Sequence, residues 1–185
     1  PGDIVLAATG NISMLAPVAG SGTAIINTTG NVTLQAGSSG SGNTISEDVT
    51  AVIVANKLTA IADAGITLAG TANAISNFAA KNITAGNNIS LTNAVALTIF
   101  DDTVAGVHGL SSIGGDIILT NTGAVTQSGV GNSAIASNAL ILQGAGSYAL
   151  TNTANSVTTL TASNTGAIAY TNAGTLTVGA AGITT

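Results

Sequence analysis

The sequence predicts an all-β fold, a parallel β-solenoid running through the whole of residues 1–185, and three observations carry that expectation. A short motif recurs along the chain: Gly or Asn, then Asp or Asn, an apolar residue, a small polar residue and a second apolar residue. Apolar and small polar residues alternate within each copy, which is the period-2 mark of a half-buried strand. Charged residues make up only 5% of the chain while apolar residues hold at 45%, against about a quarter charged in an ordinary domain.

Taken in order, the motif appears as Gly2-Asp3-Ile4-Val5-Leu6, Gly10-Asn11-Ile12-Ser13-Met14 and Gly30-Asn31-Val32-Thr33-Leu34. Looser copies follow at Gly65-Ile66-Thr67-Leu68, Asn82-Ile83-Thr84, Asn88-Ile89-Ser90-Leu91 and Gly115-Asp116-Ile117-Ile118-Leu119. The last are Leu140-Ile141-Leu142, Leu160-Thr161-Ala162, Ile168-Ala169-Tyr170 and Leu176-Thr177-Val178. Turn formers bracket many of them, as in Ala85-Gly86-Asn87-Asn88 and Gly114-Gly115-Asp116. No window offers a sustained helical stripe. A sandwich or barrel would need longer strands and a bulkier core.

Very short strands with mid-sized Ile, Val, Leu and Ala fit a narrow solenoid whose coils stack about 4.8 Å apart. The spacings Ile12 to Val32, Leu150 to Tyr170 and Ile89 to Ile117 suggest uneven coils of 20–28 residues. Extra residues would bulge out as loops. Roughly eight coils would make a rod roughly 40 Å long. Like charges stacked coil on coil would repel along the rod, a physical reason for the low charge.

The same composition bears on function. Lys57 and Lys81 are the only basic side chains and the net charge is −5, so neither nucleic acid nor an anionic membrane surface is an expected partner. There is no Cys, which removes disulfides, thiolate metal sites and a Cys nucleophile together. The most apolar stretch, Val49 to Gly70, is broken by Asn56, Lys57 and Asp63, so membrane insertion is not expected. The aromatics are Phe78, Phe100, Tyr148 and Tyr170, too few for the girdles of a membrane barrel and expected in the core or its ladders. The chain opens at Pro1 without Met or a leader and reads as an internal or processed segment.

His108, with Asp101 or Asp102 and Ser111 or Ser112 nearby, contains the types needed for a hydrolase triad but no nucleophile-elbow motif. Seven scattered carboxylates do not readily form a glycosidase pair. Glu47-Asp48 and Asp101-Asp102 offer oxygens to a calcium ion, but Gly114-Gly115-Asp116 is only a fragment of the repeat that β-roll calcium binders carry, and the acidic pairs read as solvated loop charges. The sequons at Asn11, Asn31, Asn82 and Asn88 are generated by the repeat itself. Thr159-Leu160-Thr161 and Thr175-Leu176-Thr177 are too few to form a regular threonine array. No catalytic, cofactor-binding or metal-binding residue is assigned, no cofactor is expected, and the reading is not an enzyme.

The stretch from Gly144 through Tyr148, Asn152 and Asn155 to Leu160, continuing through Gly166-Ala167-Ile168-Ala169-Tyr170-Thr171-Asn172 to Gly182-Ile183-Thr184-Thr185, resembles the repeats of filamentous-haemagglutinin-like adhesins. The Gly-Asn-Ile motifs are similar to the same group, so the resemblance spans nearly the whole chain in repeat style. It implies a right-handed parallel β-helix, secreted by a Gram-negative bacterium through an outer-membrane partner and displayed as a long surface fibre. The segment would then be shaft, a structural part of an adhesin or extracellular filament. Reading Gly182-Ile183-Thr184-Thr185 into Pro1-Gly2-Asp3-Ile4 gives a natural loop, so covalent continuation or head-to-tail self-association is expected. The alternative is a module that binds a glycan or receptor through projecting loops, 35–48 or 100–114.

Overall fold

A strand of three residues that buries alternate side chains has almost no stability alone, so each motif must find its partner one coil away. The computed structural model describes residues 2–17, 25–129 and 132–185; Pro1, on which the expected tail-to-head junction falls, lies outside them. Within them the chain forms 20 strands and no helix. In chain order these are β1 (Ile4–Ala8), β2 (Ile12–Met14), β3 (Ile26–Asn27), β4 (Asn31–Ala36), β5 (Ile45–Glu47), β6 (Ile53–Ala62), β7 (Ile66–Leu68), β8 (Ala74–Asn82), β9 (Ile89–Asn93) and β10 (Leu97–Ile99). There follow β11 (Asp101–Asp102), β12 (Val107–His108), β13 (Leu110–Ser112), β14 (Ile117–Asn121), β15 (Val125–Gln127), β16 (Ile135–Gly144), β17 (Tyr148–Leu150), β18 (Ser156–Asn164), β19 (Ile168–Tyr170) and β20 (Thr177–Thr184). All but β11 and β12 belong to one sheet whose pairings are parallel and skip along the chain, β1 to β4 to β6 to β8 for example. The fold is the expected β-solenoid.

One column of side chains counts the coils. Ile12, Ile45, Ile66, Ile89, Ile117, Leu140, Leu160 and Val178 are partners in successive pairings. Eight coils follow, separated by intervals of 33, 21, 23, 28, 23, 20 and 18 residues, a wider range than the sequence suggested. Leu6, Leu34, Ala60, Ala80, Leu110 and Ile135 form a second inward column. Leu97, Val125, Tyr148 and Ile168 form a third. The interior members of these columns are buried in a single continuous core, and each buried Leu or Ile contributes on the order of 1.5–3 kcal/mol.

Two expected spacings, Leu150 to Tyr170 and Ile89 to Ile117, are stacked pairs. The third is not. Ile12 stacks on Ile45, while Val32 stacks on Ile4 and Leu58, so the two Gly-Asn motifs lie on different faces of the coil. Several strands are also longer than expected, β6 and β16 reaching ten residues because they run through a corner from one face to the next.

Polar side chains enter the interior where they can be paired, as buried groups must. Asn93 donates to Asn121 one coil on at 3.0 Å, and the Asn93 carboxamide oxygen accepts from the Ile75 backbone at 2.9 Å. Tyr148 donates its hydroxyl toward the carbonyls of Gln143 and Leu119, 2.7 and 2.9 Å away; burial pushes this phenol up to about 12.

On the face that carries β1, β4 and β8, one coil interrupts its strand with an excursion. There β8 runs unbroken through Phe78-Ala79-Ala80. In the next coil Ile99 pairs with Phe78 and Leu110 pairs with Ala80, so residues 100–109 stand where Ala79 stood alone. The following coil leaves the same face after Gln127 and returns at Ile135.

Candidate functional site

The excursion 100–109 is a small antiparallel hairpin, with Asp101 opposite His108 and Asp102 opposite Val107. It departs and returns within one strand position, and its exit needs a glycine. Gly109 has φ +66, and a Cβ there would sit 2.1 Å from the Ala134 carbonyl oxygen. The expected projecting loop is therefore a structured element, and it folds back along the rod. Phe100 and Val107 pack on Ala79, with Ile61 and Ala105 at the margin, forming a second core outside the sheet.

Polar contacts fix the hairpin to coils on both sides of its own. The Thr59 hydroxyl donates to Asp102 at 2.5 Å, and Asp102 also accepts from the Ala105 backbone at 3.2 Å. Lys57 Nζ lies 5.4 Å from the centroid of the Phe100 ring, a cation–π distance. Asp101 accepts from the Asn132 backbone at 2.8 Å, and its other oxygen lies 2.5 Å from His108 Nδ1. The Asn132 N–H, then His108, holds the Asp101 carboxyl below its ordinary value.

Between the hairpin tip and the outer face of the first three coils is a recess of about 310 Å³. Asp3, Val5, Asn31, Thr33, Lys57 and Thr59 line its floor, and Asp102 and Val104 its roof. Val104 is 98% exposed at the tip.

The triad that the sequence suggested is assembled only in part. Asp101 and His108 meet, but among the described residues no hydroxyl is hydrogen-bonded to the other ring nitrogen. Ser112 is buried and donates to the Asn87 carbonyl, while Ser111 stacks between Lys81 and Ala136.

The second loop singled out, 35–48, is organised by a residue from the following coil. Asp63, 1% exposed, accepts from the backbones of Gly40 and Gly42 at 3.0 and 2.5 Å and from Ser41 at 3.4 Å. The Thr84 hydroxyl adds a fourth donor at 2.5 Å. Thr84 first, then the Gly42 N–H, holds this carboxyl below its ordinary range.

Glu47 and Asp48, adjacent in sequence, are divided by the wall of the coil. Asp48 accepts from the Thr50 backbone and hydroxyl. Glu47 points inward, stacked between Met14 and Leu68 in an otherwise apolar column. Its Oε2 accepts from Gly70 N–H at 2.9 Å and Asn73 Nδ2 at 2.8 Å, and its Oε1 has no partner. Desolvation pushes this carboxyl above its ordinary value, against the Asn73 and Gly70 hydrogen bonds that lower it.

Among the described residues no three His, Asp or Glu side chains converge as a metal site. Asp116 of the glycine-rich fragment accepts from Asn138 and the Ala139 backbone. The Asn82 amide is spent on the carbonyls of Asn87 and Asn88. The fold-back of the hairpin was not visible in the sequence, because two-residue strands carry no periodic signal. The inward Glu47 had one: Ile45-Ser46-Glu47 has the alternation of Ile66-Thr67-Leu68, with Glu at the Leu position.

No known protein family, curated protein or solved structure matches the chain.

Proposed function

We propose that the chain is a shaft segment of a secreted cell-surface adhesin or extracellular filament, built by stacking β-strand coils. The observation that carries the reading is the eight-membered column from Ile12 to Val178, which makes a rod of regular cross-section out of coils of unequal length. At about 4.8 Å per coil this spans about 35–40 Å. Its outer coils leave inward-facing apolar side chains open, Leu6 at 42% exposure on one side and Val178 and Ile183 at 56% and 44% on the other. Apolar edges of that kind favour pairing with another coil. In this reading the partner is further solenoid, of the same chain or of a second copy joined head to tail. The segment performs no catalysis, inserts in no membrane and binds no nucleic acid. The repeat style it shares with filamentous-haemagglutinin-like adhesins supports the same assignment, including export to the cell surface.

Immunogold electron microscopy of source cells with antibodies raised against the segment tests the proposal. Gold is expected along thin fibres projecting from the surface. Label confined to the cell interior would contradict it.

A further inference from the structure

We infer that the recess beneath the 100–109 hairpin is a preformed binding site for a sugar residue of a glycan. The inference is independent of the shaft reading, because it rests on the hairpin and the outer face alone. The recess is held open by contacts on both strands of the hairpin: Asp102 to Thr59 on one, and the packing of Val107 on Ala79 on the other. Preorganisation of this kind spares a ligand the cost of ordering the site.

Its chemistry is mixed in the way a polyol requires. Among the described residues Lys57 makes no ion pair and its ammonium has no hydrogen-bond acceptor; it lies over the Phe100 ring. Asp102 accepts two hydrogen bonds, and Asp3 accepts two from Asn31, at 2.8 and 3.4 Å. A carboxylate has about four acceptor positions, so both retain capacity for ligand hydroxyls. Lys57 on the floor therefore offers donors, Asp3 on the floor and Asp102 in the roof offer acceptors, and the exposed Val5 and Val104 offer aliphatic surface to the C–H face of a ring. A purely apolar ligand would strand these polar groups, and a polyanion would meet two carboxylates against one ammonium. A neutral sugar, or one with a single acidic group seated on Lys57, satisfies all of them.

The test is a glycan array probed with the purified chain, followed by titration of the best-bound oligosaccharide. Lys57→Met is expected to weaken binding by about tenfold or more, the scale of one lost polar contact. Lys81→Met removes the same charge outside the recess and is expected to leave affinity unchanged. Val104→Asp, at a tip too exposed to affect folding, is expected to weaken binding at least about fivefold by removing a wall. The inference is overturned if no saccharide binds above background, if both lysine variants weaken binding equally, or if Val104→Asp has no effect. None of those results bears on fibres seen in the microscope.

Discussion

Asp63 and Glu47 are two nearly fully buried carboxylates in neighbouring coils, and they have been pushed in opposite directions. Asp63 meets four donors gathered from a loop of the preceding coil and a threonine of the next. Its charge is compensated, and its pKa is lowered. Glu47 meets two donors and leaves an oxygen bare between Met14 and Leu68. Desolvation wins there, and its pKa is raised. The two carboxylates are set by different leading causes, hydrogen bonds from surrounding donors at Asp63 and desolvation at Glu47. Asp63 organises its loop, whereas Glu47 interrupts an apolar column.

The largest effect should come from removing the satisfied group. Asp63→Ala leaves the Gly40 and Gly42 amides without their acceptor, so their hydrogen exchange should accelerate by about 100-fold or more, with a clear fall in thermal midpoint. Exchange unchanged at both glycines would erase the contrast between the two sites.

Glu47→Gln should act in the other direction. It keeps an acceptor for Gly70 and Asn73 while removing the ionisable group, and is expected to raise stability by about 1 kcal/mol at neutral pH. The pH dependence carries a sign. Glu47, with a folded pKa above its ordinary 4.5, contributes stability below that value and loses it as pH rises through the folded value. Asp63, with a folded pKa below 3.8, contributes stability above 3.8 and loses it as pH falls through the folded value. Denaturant unfolding from pH 3 to 7 should therefore show the advantage of Glu47→Gln disappear in acid. An advantage that persists at about pH 3 would mean that its cause is packing and not charge.

Asp102 accepts from two donors in a partly exposed setting. Thr59→Val removes one donor and should cost about 1 kcal/mol or less. Faster amide exchange in the hairpin with little change in global unfolding is the expected reading.

How far all this was legible in the sequence follows from the same physics. Ile66-Thr67-Leu68, Ile89-Ser90-Leu91 and Ile117-Ile118-Leu119 align on one face because alternation and stacking demand the same residue types in every coil. That regularity revealed the fold class. It could not assign faces: Ile12 and Val32 carry the same motif yet lie in different columns, since every inward strand of a solenoid looks alike to its own core. The fold-back of the hairpin depends on Ile61 and Ala79 facing outward beneath Phe100, a contact between coils that local pattern does not encode. Phe100 was expected in the core or its ladders and lies in this outer cluster, whereas Phe78 and Tyr148 are central. Asp63 gave no signal, because its four donors come from other coils.

The rod depends on the register of its stack, and one distance tests that register. Ser13, Ser46, Thr67, Ser90, Ile118, Ile141 and Thr161 lie one above the next on the outer surface. The chain has no native Cys, so Ser13→Cys and Thr161→Cys accept spin labels without competition. Six coil steps of about 4.8 Å place the two backbones about 29 Å apart, and electron–electron double resonance should give a single narrow distribution near that value. A broad distribution, or one centred beyond about 45 Å, would contradict the stacked coils.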